Sequence, residues 1–118
     1  MTKKIAVFIA VLVWGIVVQT QSVSAVEEIK RFDARITINP DATLLVEETI
    51  TYNFGSEQRH GIFRNIPVRY STDNGTREVI LSDVFVENQN NTSYAYKVSD
   101  KGAYTEIKIG DPDVFVTG

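Results

Sequence analysis

The sequence predicts an all-β fold, an antiparallel β-sandwich, preceded by the helix of a signal peptide. Three observations lead to this prediction. After residue 25, apolar and polar residues alternate in short segments, turn-forming residues separate those segments, and helical periodicity is nearly absent. Alternation is typical of strands with one buried face, and a series of short strands between turns is typical of sandwiches and barrels.

The N-terminus has the three-part layout of a secretory signal peptide. Lys3 and Lys4 give a basic start, an unbroken apolar run covers residues 5–18, and Val23-Ser24-Ala25 follows as a cleavage sequence. The apolar run is shorter than the roughly 20 residues that a membrane span needs. We therefore predict a signal peptide over residues 1–25, cleaved after Ala25, and one extracytoplasmic domain over residues 26–118.

Composition excludes several classes of function. The chain has no cysteine and a formal net charge of −3. Without a thiol, cysteine catalysis and zinc–thiolate sites are excluded. Loss of Lys3 and Lys4 with the signal peptide makes the mature domain more acidic still. An acidic domain is poorly suited to the phosphates of nucleic acids or to anionic lipid headgroups, so we expect no nucleic-acid partner and no cofactor.

The predicted strands follow one another with short connections, as in an immunoglobulin-like or similar sandwich. Pro67 cannot donate to a strand ladder and therefore predicts an edge strand or a bulge. Asn74-Gly75 is the strongest hairpin signal in the chain. The alternating segments are residues 32–38, 44–54, 62–70, 79–86, 94–98, 105–109 and 114–116. Because the chain stops just after the last of these, we expect a C-terminally incomplete domain that lacks its last strands.

Specific motifs within these strands are shared with a known family. They are Phe32-Asp33, the segment VEETITYNF at 46–54, the octet HGIFRNIP at 60–67 and the segment IKIGDPD at 107–113. Over about residues 27 to 118 the chain resembles the N-terminal region of bacterial predicted membrane proteins of the YciQ-like kind, domain of unknown function 2207. The resemblance implies an extracytoplasmic β domain that transmembrane helices follow in full-length relatives. It implies no reaction and no catalytic residues.

His60 is the only histidine of the chain and precedes Gly61. An unperturbed pKa near 6.5 suits a general base or a metal ligand. One histidine without cysteine builds a zinc site only if carboxylates complete it, and a serine triad needs partners that the sequence does not place. A plain turn histidine before a glycine is the favoured interpretation.

Arg64 is a charge on an apolar strand face, because alternation places it with Ile62 and Ile66. A buried guanidinium needs a partner. Glu48 also lies on an apolar face, but a hairpin of residues 43–54 with 62–70 would place it about 13 Å away. We therefore expect Arg64 to stack on Tyr52 or to reach Glu57, with Glu48 paired elsewhere across the core. Gly61, Arg64 and Pro67 together indicate a loop that enters an edge strand.

Asp111 and Asp113 flank Pro112, directly after Gly110. Two carboxylates supply fewer oxygens than the six to eight that calcium takes. A turn set by the proline is the favoured interpretation.

These features favour a non-enzymatic exported domain that binds or supports other envelope components. Its partner would be an envelope protein, a wall polymer or a membrane region that lies downstream. One alternative is an envelope hydrolase that uses a carboxylate such as Glu48 or Asp111 with His60. Another alternative is a truncated remnant without function.

Overall fold

The computed structural model describes residues 25–118, so the predicted signal peptide helix lies outside the described residues except for Ala25. Every strand pairing is antiparallel and the described part contains no helix, which confirms the predicted all-β class. The strands are β1 (Glu28–Ile38), β2 (Leu44–Asn53), β3 (Ile62–Pro67), β4 (Arg69–Thr72), β5 (Gly75–Glu78), β6 (Tyr96–Asp100) and β7 (Tyr104–Ile109). They form three sheets, β1–β2, β3–β7–β6 and β4–β5. Packing of these sheets as a sandwich stays a prediction.

β1 and β2 form a two-stranded ribbon with one apolar face. Phe32 lies opposite Ile50, and Ile36 lies opposite Val46, so apolar side chains from both strands share that face. Asp41 closes the connecting turn, because its carboxylate oxygen Oδ1 accepts a hydrogen bond of 3.0 Å from the backbone N–H of Thr43. The bonds from the Thr43 side chain and backbone to this carboxylate lower the pKa of Asp41.

The second sheet has β7 at its centre and β3 and β6 at its edges. Ile107 of β7 lies between Arg64 of β3 and Val98 of β6, and only 6% of it is exposed. Val68, just after β3, is 7% exposed, and these two are the buried apolar side chains of the described residues. Pro67 ends β3 at the sheet edge, which confirms the predicted edge strand.

The predicted hairpin near Asn74-Gly75 is present as β4 and β5. Thr72 lies opposite Gly75, so Asp73 and Asn74 form the two-residue turn, and Gly75 follows with a φ of 114°. The glycine supplies the positive φ just after the turn, where a side chain would be strained.

Three of the predicted strands were wrong. Residues 62–70 do not form one strand, because the chain leaves the second sheet at Val68 and continues as β4. Residues 79–86 are not a strand, since their backbone contacts lie at the two ends, from Val79 N–H to the Val68 carbonyl and from Tyr94 N–H to the Val86 carbonyl. Of residues 114–116, Val116 alone forms a bridge. Alternation predicts a strand, but a strand also needs a neighbour along its whole length.

Residues 54–61 and 110–118 lie side by side and form a contact that we call the terminal seam. Phe54 donates its N–H to the Gly118 carbonyl at 3.0 Å, and Arg59 and Val116 exchange backbone hydrogen bonds of 3.1 and 2.7 Å. Gly61 and Gly110 face each other there, with φ values of 148° and 138°. A Cβ on Gly61 would lie 1.7 Å from the Ile109 carbonyl oxygen, so the two backbones approach as closely as only glycine permits.

Gly61→Ala is therefore expected to destabilise the domain by more than about 2 kcal/mol, because it adds a backbone clash to an unfavourable φ. The measurement is the free energy of unfolding from denaturant titration. Gly102→Ala is the matched control: Gly102 has a φ of 83°, but nothing lies within 4 Å of an added Cβ. Its expected cost is about 1 kcal/mol from backbone strain alone. Equal losses of unfolding free energy in the two variants would contradict the close approach at Gly61.

Candidate functional site

Arg64 and Glu48 form a two-pronged ion pair between the ribbon and the second sheet. Arg64 Nε donates to Glu48 Oε2 at 2.7 Å, and Arg64 Nη2 donates to Glu48 Oε1 at 2.6 Å. The side chains are 29% and 21% exposed, so the pair is largely shielded from water. Paired parallel bonds of this kind are among the stronger polar contacts in proteins.

The remaining contacts of Arg64 fix the orientation of its guanidinium group. Nη1 donates to the backbone carbonyl of Asn65 at 2.7 Å, and Cζ lies 5.8 Å from the centre of the Phe32 ring. The hydrogen bond to Glu48 raises the pKa of Arg64, against the effect of burial. Arg64 thus contacts both strands of the ribbon, Glu48 on β2 and Phe32 on β1.

This pairing corrects the prediction for Arg64. We expected a stack on Tyr52 or a contact with Glu57, because a hairpin register separated Arg64 from Glu48. That register does not exist: β2 pairs with β1, and β3 pairs with β7. Since β2 and β3 belong to different sheets, their side chains meet across the gap between the sheets. The predicted alternation holds, with Ile62, Arg64 and Ile66 on the half-buried face of β3.

His60 is held in the terminal seam. Its Nδ1 lies 2.9 Å from the Val114 carbonyl oxygen, and its ring stacks on Phe115 with centroids 4.2 Å apart. A carbonyl only accepts hydrogen bonds, so Nδ1 must carry the proton. These contacts agree with a turn histidine that ties two segments together.

Asp111 stabilises the turn at residues 110–113. Its Oδ1 accepts the N–H of Asp113 at 2.9 Å, and its carbonyl accepts the N–H of Val114 at 3.2 Å. This geometry agrees with a proline-set turn. Among residues 25–118, no group of three or more histidine, aspartate or glutamate side chains could hold a metal ion.

The candidate residues thus divide between two places. Glu48 and Arg64 join the ribbon to the second sheet, whereas His60, Gly61 and the turn with Asp111 and Asp113 belong to the terminal seam. Pro67 lies at the far end of β3, where its carbonyl accepts the Tyr70 hydroxyl at 3.0 Å. Glu48 and His60 have different hydrogen-bond partners and do not form an acid–base pair.

A third polar contact joins Glu27, Tyr52 and Arg59, and no sequence pattern predicted it. Tyr52 donates its hydroxyl to Glu27 Oε1 at 2.9 Å, and Arg59 Nη2 donates to Oε2 at 3.2 Å. The bond to Glu27 raises the pKa of the Tyr52 hydroxyl. Glu27 lies outside the alternating pattern, so the sequence offered no face on which to place it.

The features assembled so far define a small all-β domain whose sheets are joined by paired charges and by a glycine-dependent seam. The chain belongs to the family of predicted membrane proteins (DUF2207), and its residues 28–116 match the model of the family's N-terminal domain. This match confirms the resemblance based on the sequence and makes the chain a domain of a membrane-associated protein. No curated protein and no solved structure matches the chain. Within residues 25–118, no helix has the length and apolar character to cross a membrane.

Glu48→Gln is expected to lower the free energy of unfolding by about 1 to 2 kcal/mol, between the values for exposed and buried ion pairs. The cause is a half-buried guanidinium left without its counter-charge. The double variant Glu48→Arg with Arg64→Glu should recover part of the loss, because it restores opposite charges. Glu47→Gln is the matched control: this neighbour is exposed, and its expected change is below about 0.5 kcal/mol. A loss for Glu47→Gln as large as that for Glu48→Gln would contradict the assignment.

Proposed function

We propose that this domain is a non-enzymatic module on the extracytoplasmic face of a bacterial envelope membrane protein. The basic and apolar N-terminus followed by Val23-Ser24-Ala25 supports export. Membership of a family of predicted membrane proteins supports attachment to a membrane through another part of the protein. The absence of cysteine from the sequence is compatible with an oxidising compartment, where a free thiol would be reactive.

The hydrogen bonding of the Glu48 carboxylate is the observation that supports a non-enzymatic role. Both of its oxygens accept hydrogen bonds from Arg64. A general acid or base must exchange a proton with a substrate, and both oxygens of this carboxylate are already occupied by Arg64. Of the other candidates for a hydrolase, His60 bonds to the backbone carbonyl of Val114 across the terminal seam, and Asp111 bonds to the backbone of its own turn. Binding or support of an envelope protein, a wall polymer or the membrane region of the same protein is the role that these contacts favour.

The location can be tested with a single cysteine in the full-length chain, since residues 1–118 contain none and any cysteine outside them can be replaced by serine. Thr76→Cys places it on the exposed strand β5. In intact bacteria, a membrane-impermeant maleimide should label this cysteine as fully as it does after lysis, because the domain faces outward. Labelling that appears only after lysis would contradict the extracytoplasmic location.

In the same cells, the double variant Glu48→Arg with Arg64→Glu tests the role of Glu48 independently of the location of the domain. A structural pair predicts that this variant complements a deletion of the gene better than Glu48→Gln does. A catalytic carboxylate predicts an equal loss of function in both, since neither variant has a carboxylate at position 48. Full activity of Glu48→Gln with unchanged stability would remove both roles from Glu48.

A further inference from the structure

β1 has a long free edge. Among residues 25–118, this strand of 11 residues pairs with β2 alone, so its other edge has no neighbour. The side chains along it are exposed, with Phe32 at 46% and Ile36 at 62%. Proteins usually shorten, charge or cover such edges, because unpaired backbone groups bind other strands. The other free edges of the ribbon and the second sheet are shorter: β2 has ten residues, β3 has six and ends in Pro67, and β6 has five.

The sequence of β1 is complementary to itself in one antiparallel register. If Ala34 lies opposite Ala34 of a second copy, Asp33 lies opposite Arg35 twice. Phe32 then lies opposite Ile36 twice, on the other face of the strand. Two paired strands are stabilised when opposite charges, or two apolar side chains, lie directly opposite each other.

Neighbouring registers are worse. With Asp33 at the centre, two aspartates oppose each other and Arg31 opposes Arg35. With Phe32 at the centre, Arg31 opposes Asp33 twice, but Arg35 opposes Ile29, and the irregularity between Ile29 and Arg31 falls inside the paired region. The register centred on Ala34 is therefore favoured, because it opposes opposite charges over residues 31–37, which lie outside that irregularity.

The charges of β1 are available for this pairing. Asp33 bonds to Arg31 of its own strand, an exposed contact that contributes little. Arg35 lies opposite Glu47 of β2 but forms no ion pair among the described residues, and a second copy would place Asp33 opposite it on the free edge. β2 carries two carboxylates and no cation, so its own edge offers no charge complementarity to a second copy.

We propose that two copies of this chain associate through β1, antiparallel and centred on Ala34, to form a continuous four-stranded sheet in the order β2–β1–β1–β2. The dimer has a twofold axis through the Ala34 pair, and each copy contributes the same surface. This inference goes beyond the proposed function and does not depend on it.

Disulfide crosslinking of the full-length chain in cells tests the dimer. Directly opposed residues have Cα atoms about 4.5 to 5.5 Å apart, within the range that a disulfide spans. Residues 1–118 contain no cysteine, and with any cysteine outside them replaced by serine, Ala34→Cys can crosslink only to residue 34 of another copy. Mild oxidation should give a dimer band on a non-reducing gel. Thr76→Cys, on the exposed strand β5, is the matched control and should give at least tenfold less dimer.

Charge reversal then tests the register. Asp33→Arg or Arg35→Asp, each combined with Ala34→Cys, should reduce the dimer band at least tenfold, because each opposes like charges twice. Co-expression of the two variants with different tags should restore a mixed dimer, since every opposed pair again has opposite signs. That recovery also shows that both variants fold.

The proposal is overturned by a dimer band for Ala34→Cys no stronger than that for Thr76→Cys. It is equally overturned if the charge reversals leave the band unchanged, or if co-expression restores no mixed dimer.

Discussion

The ion pair between Arg64 and Glu48 is the interaction on which the arrangement of the two larger sheets depends. In the described part of the chain, no other side-chain hydrogen bond joins β1 or β2 to β3, β6 or β7. Buried apolar area is small, with Val68 and Ile107 as the buried apolar side chains, so the usual driving force for sheet packing contributes little between these sheets. A shielded, two-pronged contact gives both attraction and a fixed orientation, because the planar guanidinium binds the carboxylate in one geometry.

The terminal seam has the complementary role of holding residues 110–118 against the connection between β2 and β3. It relies on backbone hydrogen bonds and on the close approach of Gly61 to Gly110, with His60 bonded across it to the Val114 carbonyl. The octet at residues 60–67 thus contributes to both contacts. His60 and Gly61 belong to the terminal seam, and Arg64 pairs with Glu48. Both assignments are structural, and this is the physical reason for favouring a module over an enzyme.

Local features were predictable from the sequence, whereas contacts between sheets were not. Alternation identified the apolar face of β1 and β2 and the orientation of Arg64, and turn chemistry identified the hairpin near Asn74-Gly75. The partner of Arg64 was predicted wrongly, because strand order within sheets is set by non-local pairing that a single sequence does not reveal. The strand prediction for residues 79–86 was wrong for the same reason. Their pattern is that of a strand, but they lack a neighbouring strand to pair with.

Hydrogen exchange of backbone amides in Arg64→Met is the measurement that tests the central role of the pair most directly. Methionine keeps much of the apolar length of the side chain and removes the bond to Glu48. If the pair holds the ribbon on the second sheet, amides of β1 and β2 should exchange faster in this variant, while those at the β6–β7 pairing stay protected. Unchanged protection of β1 and β2, or an equal loss of protection in both sheets, would contradict this account.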